Sequence, residues 1–318
     1  YLLGYYAYGA DERGQYIGQT RYRINITSAS GQVSYPFSST QRFEVSMGMT
    51  RYSYDIELDK YYTDAFGRVF DFERVQQDEF EPDPLNMATV SAALVGDNAF
   101  FGFVSPIRGG RYRFGVEQTT GTLAFTTVTA DWRRYFSPTR NLTVGVRALH
   151  YGRYGLDIAP EQQSGFSPLR ELFLGFETFI RGYSFESFET SECGNPIQGA
   201  PTGSSCPTFD RLFGHRLAVG SLELRVPFIG VEQFGIINFP FLPTELVLFA
   251  DGGLAWDPDN PPTLEWSRSS SKRVPVFSTG VSARFNVLGF MILEAYYAYP
   301  WQRPDKGWHW GFNLSPGW

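Results

Sequence analysis

From Arg216 to the end of the chain, apolar and polar residues exchange places with a period of two through five consecutive segments. In 216–228, Ala218, Gly220, Leu222, Leu224, Val226 and Phe228 alternate with Ser221, Glu223 and Arg225. In 244–256, Leu246, Leu248, Ala250, Leu254 and Trp256 share one face, and Glu245 and Asp251 share the other. The pattern continues through 277–287, through 291–301, where Glu294 opposes a row of apolar and aromatic residues, and through 308–318. Successive side chains of a strand point to opposite faces, so this spacing predicts strands with one apolar face each. Each segment has the ~9–11 residues a tilted strand needs to cross a bilayer, while no stretch reaches the ~18 apolar residues of a membrane helix. Aromatics gather at the segment ends and the apolar faces carry no lysine, which suits a lipid interface better than a protein core. An open sheet edge cannot be satisfied in hydrocarbon, so such strands have to close on themselves. The expected fold is all-β, an antiparallel transmembrane β-barrel.

The first half alternates less regularly. Segments 1–10 and 16–27 flank the charged turn Asp11-Glu12-Arg13-Gly14, and further segments at 43–50, 88–97, 112–117, 123–136 and 141–154 bring the total to twelve. The pattern does not decide which way 123–136 faces. Between them, 28–40 is expected to be a turn, 59–86 an acidic and aromatic excursion, and 103–110 a tight connector around Pro106 and Gly109-Gly110. The acids Asp71, Glu73, Asp78, Glu79, Glu81 and Asp83 lack the spacing of a calcium loop, so a solvated loop is the preferred reading. A soluble sandwich would give the same alternation in any single strand; the membrane reading rests on the whole set.

Composition narrows the function. Aromatics are 17% of the chain, and the mean hydropathy of -0.24 is what polar inner positions averaged with apolar outer ones produce. A net charge of -6 without a basic run excludes nucleic acid as a partner. Only His150, His215 and His309 are present, without metal-type spacing, and no nucleophile elbow, phosphate loop or dinucleotide fingerprint occurs. No enzyme, cofactor or metal is therefore expected.

Between 154 and 216 the alternation stops for a Gly-, Ser- and Pro-rich insertion, 158–213, with Phe179-Ile180-Arg181-Gly182-Tyr183 near its centre. Insertions of this length between clean strands are functional or disordered. Glu223 and Asp251 lie on the polar faces of the next two strands, where an inward-folded loop would bring Arg181. The other reading makes Arg181 a solvated loop residue and leaves the two acids lining a wet lumen. The only cysteines, Cys193 and Cys206, both lie in the insertion; a disulfide suits an oxidising compartment, and two free thiols are the alternative.

At Ile180-Arg181-Gly182-Tyr183 the sequence resembles the outer-membrane assembly-factor superfamily. That group includes BamA- and TamA-type barrels, two-partner-secretion transporters and the chloroplast import channel. The resemblance covers about 88–318 and is strongest after Asn141. It implies a sixth loop folded into the lumen, its arginine meeting Glu223 and Asp251, so that Arg181, Gly182, Tyr183, Glu223 and Asp251 form a loop lock. The ending, with Phe312, Leu314 and Trp318, is similar to the terminal strand by which such barrels are recognised. Family barrels have sixteen strands, so 1–318 is expected to be the C-terminal part of one barrel domain. About four strands and any periplasmic POTRA domains would then lie upstream of Tyr1.

The function implied is an outer-membrane protein insertion or polypeptide translocation factor working through a locked loop and a labile strand seam. Its partners would be the bilayer and lipopolysaccharide, unfolded outer-membrane clients or a secreted polypeptide, and other envelope subunits. The alternatives are a surface-antigen barrel serving as anchor or channel component of an envelope complex, and a general porin.

Overall fold

In the computed structural model the chain is described at residues 2–64, 66–77, 81–155, 169–189, 192, 206–231, 235–239, 241–268 and 272–316. It is nearly all β, built on a large antiparallel sheet. The described residues form two compact units: 1–33, 45–91 and 118–125 in the first, and 34–44, 92–117 and 126–318 in the second.

In the first unit, β1 (Leu2–Asp11) and β2 (Gly14–Ser38) form a hairpin that closes at Asp11 opposite Gly14. Asp11 accepts the Arg13 backbone N–H at 3.0 Å, which fixes the charged turn seen in the sequence. β3 (Gln41–Thr63) lies beside β2, and β4 (Val69–Gln76) folds back on β3 with Asp59 opposite Arg74. Two sequence expectations are corrected here. Residues 28–38 are strand, because Val33, Tyr35 and Phe37 continue the alternation, and only 39–40 turn. The acidic stretch from Asp59 is a hairpin held by charge: fully buried Asp59 pairs with Arg21 and, at 2.7 Å, with Arg74, while Asp11 binds Lys60 at 2.8 Å. Asp78 and Glu79 lie outside the described residues.

Next along the chain are β5 (Leu85–Asp97), β6 (Phe100–Phe101), β7 (Pro106–Gly121), β8 (Phe125–Thr139) and β9 (Leu142–Tyr154). Inside the insertion are two short strands, β10 (Leu172–Phe173) and β11 (Phe213–Gly214), and a single helical turn, α1 (Pro207–Asp210). After it come β12 (Arg216–Gly230), β13 (Ile237–Asn238), β14 (Thr244–Trp256), β15 (Val276–Val287), β16 (Met291–Pro300) and β17 (His309–Pro316). The sheet order is β5-β7-β8-β9-β12-β14-β15-β16-β17, neighbours antiparallel, with two-residue β13 parallel to the end of β12. The connector expected at 103–110 is shorter, since β7 already begins at Pro106. In β8, whose facing the sequence left undecided, Phe125, Thr127 and Tyr135 are buried while Trp132 and Phe136 are exposed.

Each of the twelve expected strands corresponds to one long strand. On four of the last five strands the apolar face is exposed, with Leu222, Leu248, Val281, Trp310, Phe312 and Leu314 from 46% to 66% accessible, and on β16 it is half-buried. A continuous apolar face left bare in this way marks contact with a partner or with lipid. Among the described residues no helix is long and apolar enough to cross a membrane, which does not bear on crossing by strands.

Candidate functional site

The inner faces of β12, β14, β15 and β16 carry the charges. Register alone aligns several of them: Ser221 lies opposite Asp251, Glu245 opposite Arg284, and Arg284 opposite Glu294. Into this row the insertion lowers Arg181. Its Nε and Nη2 donate to the two carboxylate oxygens of Asp251 at 2.8 Å each, a bidentate fork, and Nη1 donates to Glu294 Oε1 at 2.9 Å. Nη2 also stands 2.9 Å from Glu223 Oε1. The guanidinium lies over the ring of Phe249, 3.7 Å from its centroid, and the residue is 4% exposed. A planar, permanently charged fork can meet three acids at once in a way an ammonium cannot.

Two further arginines complete the cluster. Arg225 donates to Glu223 at 2.7 Å, and Arg284 reaches Glu223 and, at 3.1 Å, Glu294. Ser105 donates to both oxygens of Glu245, at 2.9 and 2.8 Å, and Ser221 and Ser282 donate to Asp251 and Glu294. Thus three guanidiniums face four carboxylates, Asp251, Glu223, Glu294 and Glu245, one negative charge in excess. Buried charges need this degree of pairing, because each ion left without a partner retains a desolvation cost of several kcal/mol. Beside the cluster is a cavity of about 310 Å³ lined by Arg181, Glu223, Asp251, Arg284 and Glu294 among others.

The rest of the motif is seated as firmly. Gly182 adopts φ +85°, and a Cβ there would press within 3.2 Å of Ala298 and 3.3 Å of Ser278 Oγ; only glycine takes that backbone conformation without strain. The hydroxyl of Tyr183 donates to the Phe277 carbonyl at 3.1 Å and accepts the Gln302 backbone N–H at 3.1 Å. Ile180 is wholly buried against Gly253, where any side chain would collide with Ile180 Cδ1. Ile180, Tyr183, Leu174 and Leu212 pack with Leu217, Val219, Ala255 and Val276 of the strands into one apolar core. Phe173, Phe185, Phe188, Phe209 and Phe213 stack edge to face or tilted within the insertion.

A second clamp was not foreseen. Arg303, fully buried in the turn after β16, forks onto Glu192 at 2.8 and 2.7 Å, donates to the Gly182 carbonyl at 2.8 Å and covers the Phe188 ring. Arg147 of β9 adds a 2.7 Å bond to the Thr178 carbonyl. The sequence offered a signal for Glu294, Arg225 and Arg284, which share the polar parity of Glu223 and Asp251. It offered none for Arg303 or Glu192, which lie in turns without periodicity. Cys206 is disulfide-bonded, and its expected partner Cys193 lies outside the described residues. Phe312 and Leu314 are exposed on β17, and Trp318 lies outside the described residues.

A family model, the Omp85 superfamily domain, matches residues 3–317. Among solved structures the chain is similar to BamA from Haemophilus ducreyi lacking POTRA domains 1–3, at 15% identity and a TM-score of 0.56, covering 99% of this chain and 57% of that one. It is also similar to CdiB from Escherichia coli (10% identity, TM-score 0.49, 98% and 48% covered) and CdiB from Acinetobacter baumannii (12%, 0.49, 97% and 44%). At such identities the likeness concerns the fold. The chain spans about half the length of the solved chains it matches. No curated protein matches it.

Proposed function

The chain belongs to the Omp85 superfamily of outer-membrane β-barrels, and from that premise we propose that it is the barrel of a protein-insertion or polypeptide-translocation factor whose insertion serves as an internal lock. The observation that carries this reading is Arg181, drawn out of a loop to meet Asp251, Glu294 and Glu223 on three different strands. Tying β12, β14 and β16 to one guanidinium holds those strands in register, while β17 supplies none of its acidic partners and is left free to separate. In this reading the sheet closes through β17, and the seam there is the weak joint at which an incoming client strand adds by edge pairing. The aromatic ladder of half-buried Tyr297 with exposed Trp308 and Trp310 seats the same region at the membrane interface. The machinery is mechanical, without catalytic chemistry of its own; the buried charges serve to hold the lock.

A porin would need an open path along the inner face. The insertion's apolar core on Leu217, Val219, Ala255 and Val276, with both arginine clamps, supports a plugged inner face over an open one.

The test is reconstitution of the protein in liposomes with a urea-unfolded eight-stranded outer-membrane barrel as client, beside planar-bilayer recordings of the same preparation. The expected result is faster client folding than in empty liposomes and only small, intermittent currents. Large, steady currents with no acceleration of the client would refute the proposal in favour of a pore.

A further inference from the structure

The insertion leaves and rejoins the sheet through a neck made by β10 and β11, where Leu172 lies opposite Gly214 and Phe173 opposite Phe213. Continued one step outward, that antiparallel register sets Glu171 against His215. Asp257, the first residue after β14, approaches the same point: its Oδ1 accepts the His215 backbone N–H at 2.7 Å, and its Oδ2 accepts from Arg273 at 3.1 Å. One ligand atom from each of Glu171, His215 and Asp257 lies within 4.8 Å of the other two. His215 is only 5% exposed, yet its Nδ1 has no hydrogen-bond partner. Buried polar atoms are almost always satisfied, and one that is not calls for an unseen partner such as an ion.

We propose that Glu171, His215 and Asp257 form a binding site for a borderline divalent cation, Zn2+ foremost, that pins both ends of the insertion to the end of β14. One imidazole and two carboxylates suit Zn2+, which accepts nitrogen and oxygen donors around a tetrahedron and fills its fourth position with water. Ca2+ and Mg2+ prefer shells of oxygen alone. The unpartnered Nδ1 of His215 supplies the nitrogen donor such an ion takes. Arg273 beside Asp257, and Arg153 and Arg216 beside His215, oppose the cation. Each carboxylate oxygen keeps a second lone pair, so Asp257 can hold Arg273 and the metal together. The site is independent of what the barrel moves.

Metal-stripped protein in detergent should take up a single Zn2+ by calorimetry, in preference to Ca2+ or Mg2+, and the insertion should then resist limited proteolysis. Glu171 is exposed, so Glu171→Gln leaves folding undisturbed and should weaken Zn2+ binding at least about tenfold. His215→Ala should abolish the tight site. Zn2+ uptake that is absent from the wild type, or unchanged in Glu171→Gln because it occurs at His150 or His309, would overturn the proposal.

Discussion

Replacing Arg181 with alanine tests the lock directly. The wild-type cluster holds three guanidiniums against four carboxylates, so deleting Arg181 doubles the uncompensated charge from one to two. It also removes three charge-assisted bonds of 2.8–2.9 Å from a residue 4% exposed. Breaking a buried ion pair from one side costs about 3–5 kcal/mol, which multiplies the population of loop-released molecules roughly a hundredfold to a few thousandfold at about tenfold per 1.4 kcal/mol. Urea unfolding of the protein in detergent micelles, followed by tryptophan fluorescence, measures the loss, and heat-modifiable gel mobility reports the barrel itself. The charge argument makes a sharper demand on the double variant Arg181→Met with Asp251→Asn. Two arginines then face three acids, and the single excess charge of the wild type is restored. The double variant should be more stable than the sum of the single losses implies, by about 1–3 kcal/mol. Strict additivity, or a loss below about 1 kcal/mol for Arg181→Ala, would show that Arg181 is solvated and that the acids need no partner.

Two other outcomes follow from the same geometry. Gly182→Ala should destabilise by about 1–3 kcal/mol, since φ +85° strains an alanine and its Cβ crowds Ala298; an unchanged unfolding midpoint would contradict this. At the second clamp, burial tends to raise the Glu192 pKa, but the Arg303 bonds outweigh it and hold the carboxyl below the ordinary glutamate range. A depressed folded-state pKa stabilises above the unfolded value and loses that contribution as pH falls through the folded one. Protease resistance of the insertion should therefore be flat from neutral into mild acid and fall only below the usual glutamate pKa, with Glu192→Gln removing the acid step. An equal step in Glu192→Gln would assign the transition to other groups.

Much of this molecule can be read from periodicity. Alternation located the long strands, and it placed Glu223 and Asp251 on the face where Arg181 now sits, because parity along a strand is a local property of the backbone. The reading failed where the alternation weakened. At Ser28–Ser38 small and polar residues look like turn but continue a strand, and Asp59, at the head of a stretch that looks solvated, is buried and neutralised by Arg21 and Arg74 from neighbouring strands. Apolar inner residues such as Leu217, Val219 and Phe249 also broke the expected polar lining.

What the sequence determined by itself is therefore the strands, the faces they turn outward and the residues available to meet a loop. Tertiary structure alone decided which of them meet. Arg181 finds Asp251 and Glu294 at separations of 70 and 113 residues, and Arg303 finds Gly182 at 121. Those pairings depend on strand register and on the path of the insertion, and neither leaves a trace in local spacing. The inner apolar residues gain their reason in the same way: Leu217 and Val219 are buried because Ile180, Leu174 and Leu212 arrive from the insertion to cover them, and Phe249 lies under the Arg181 guanidinium.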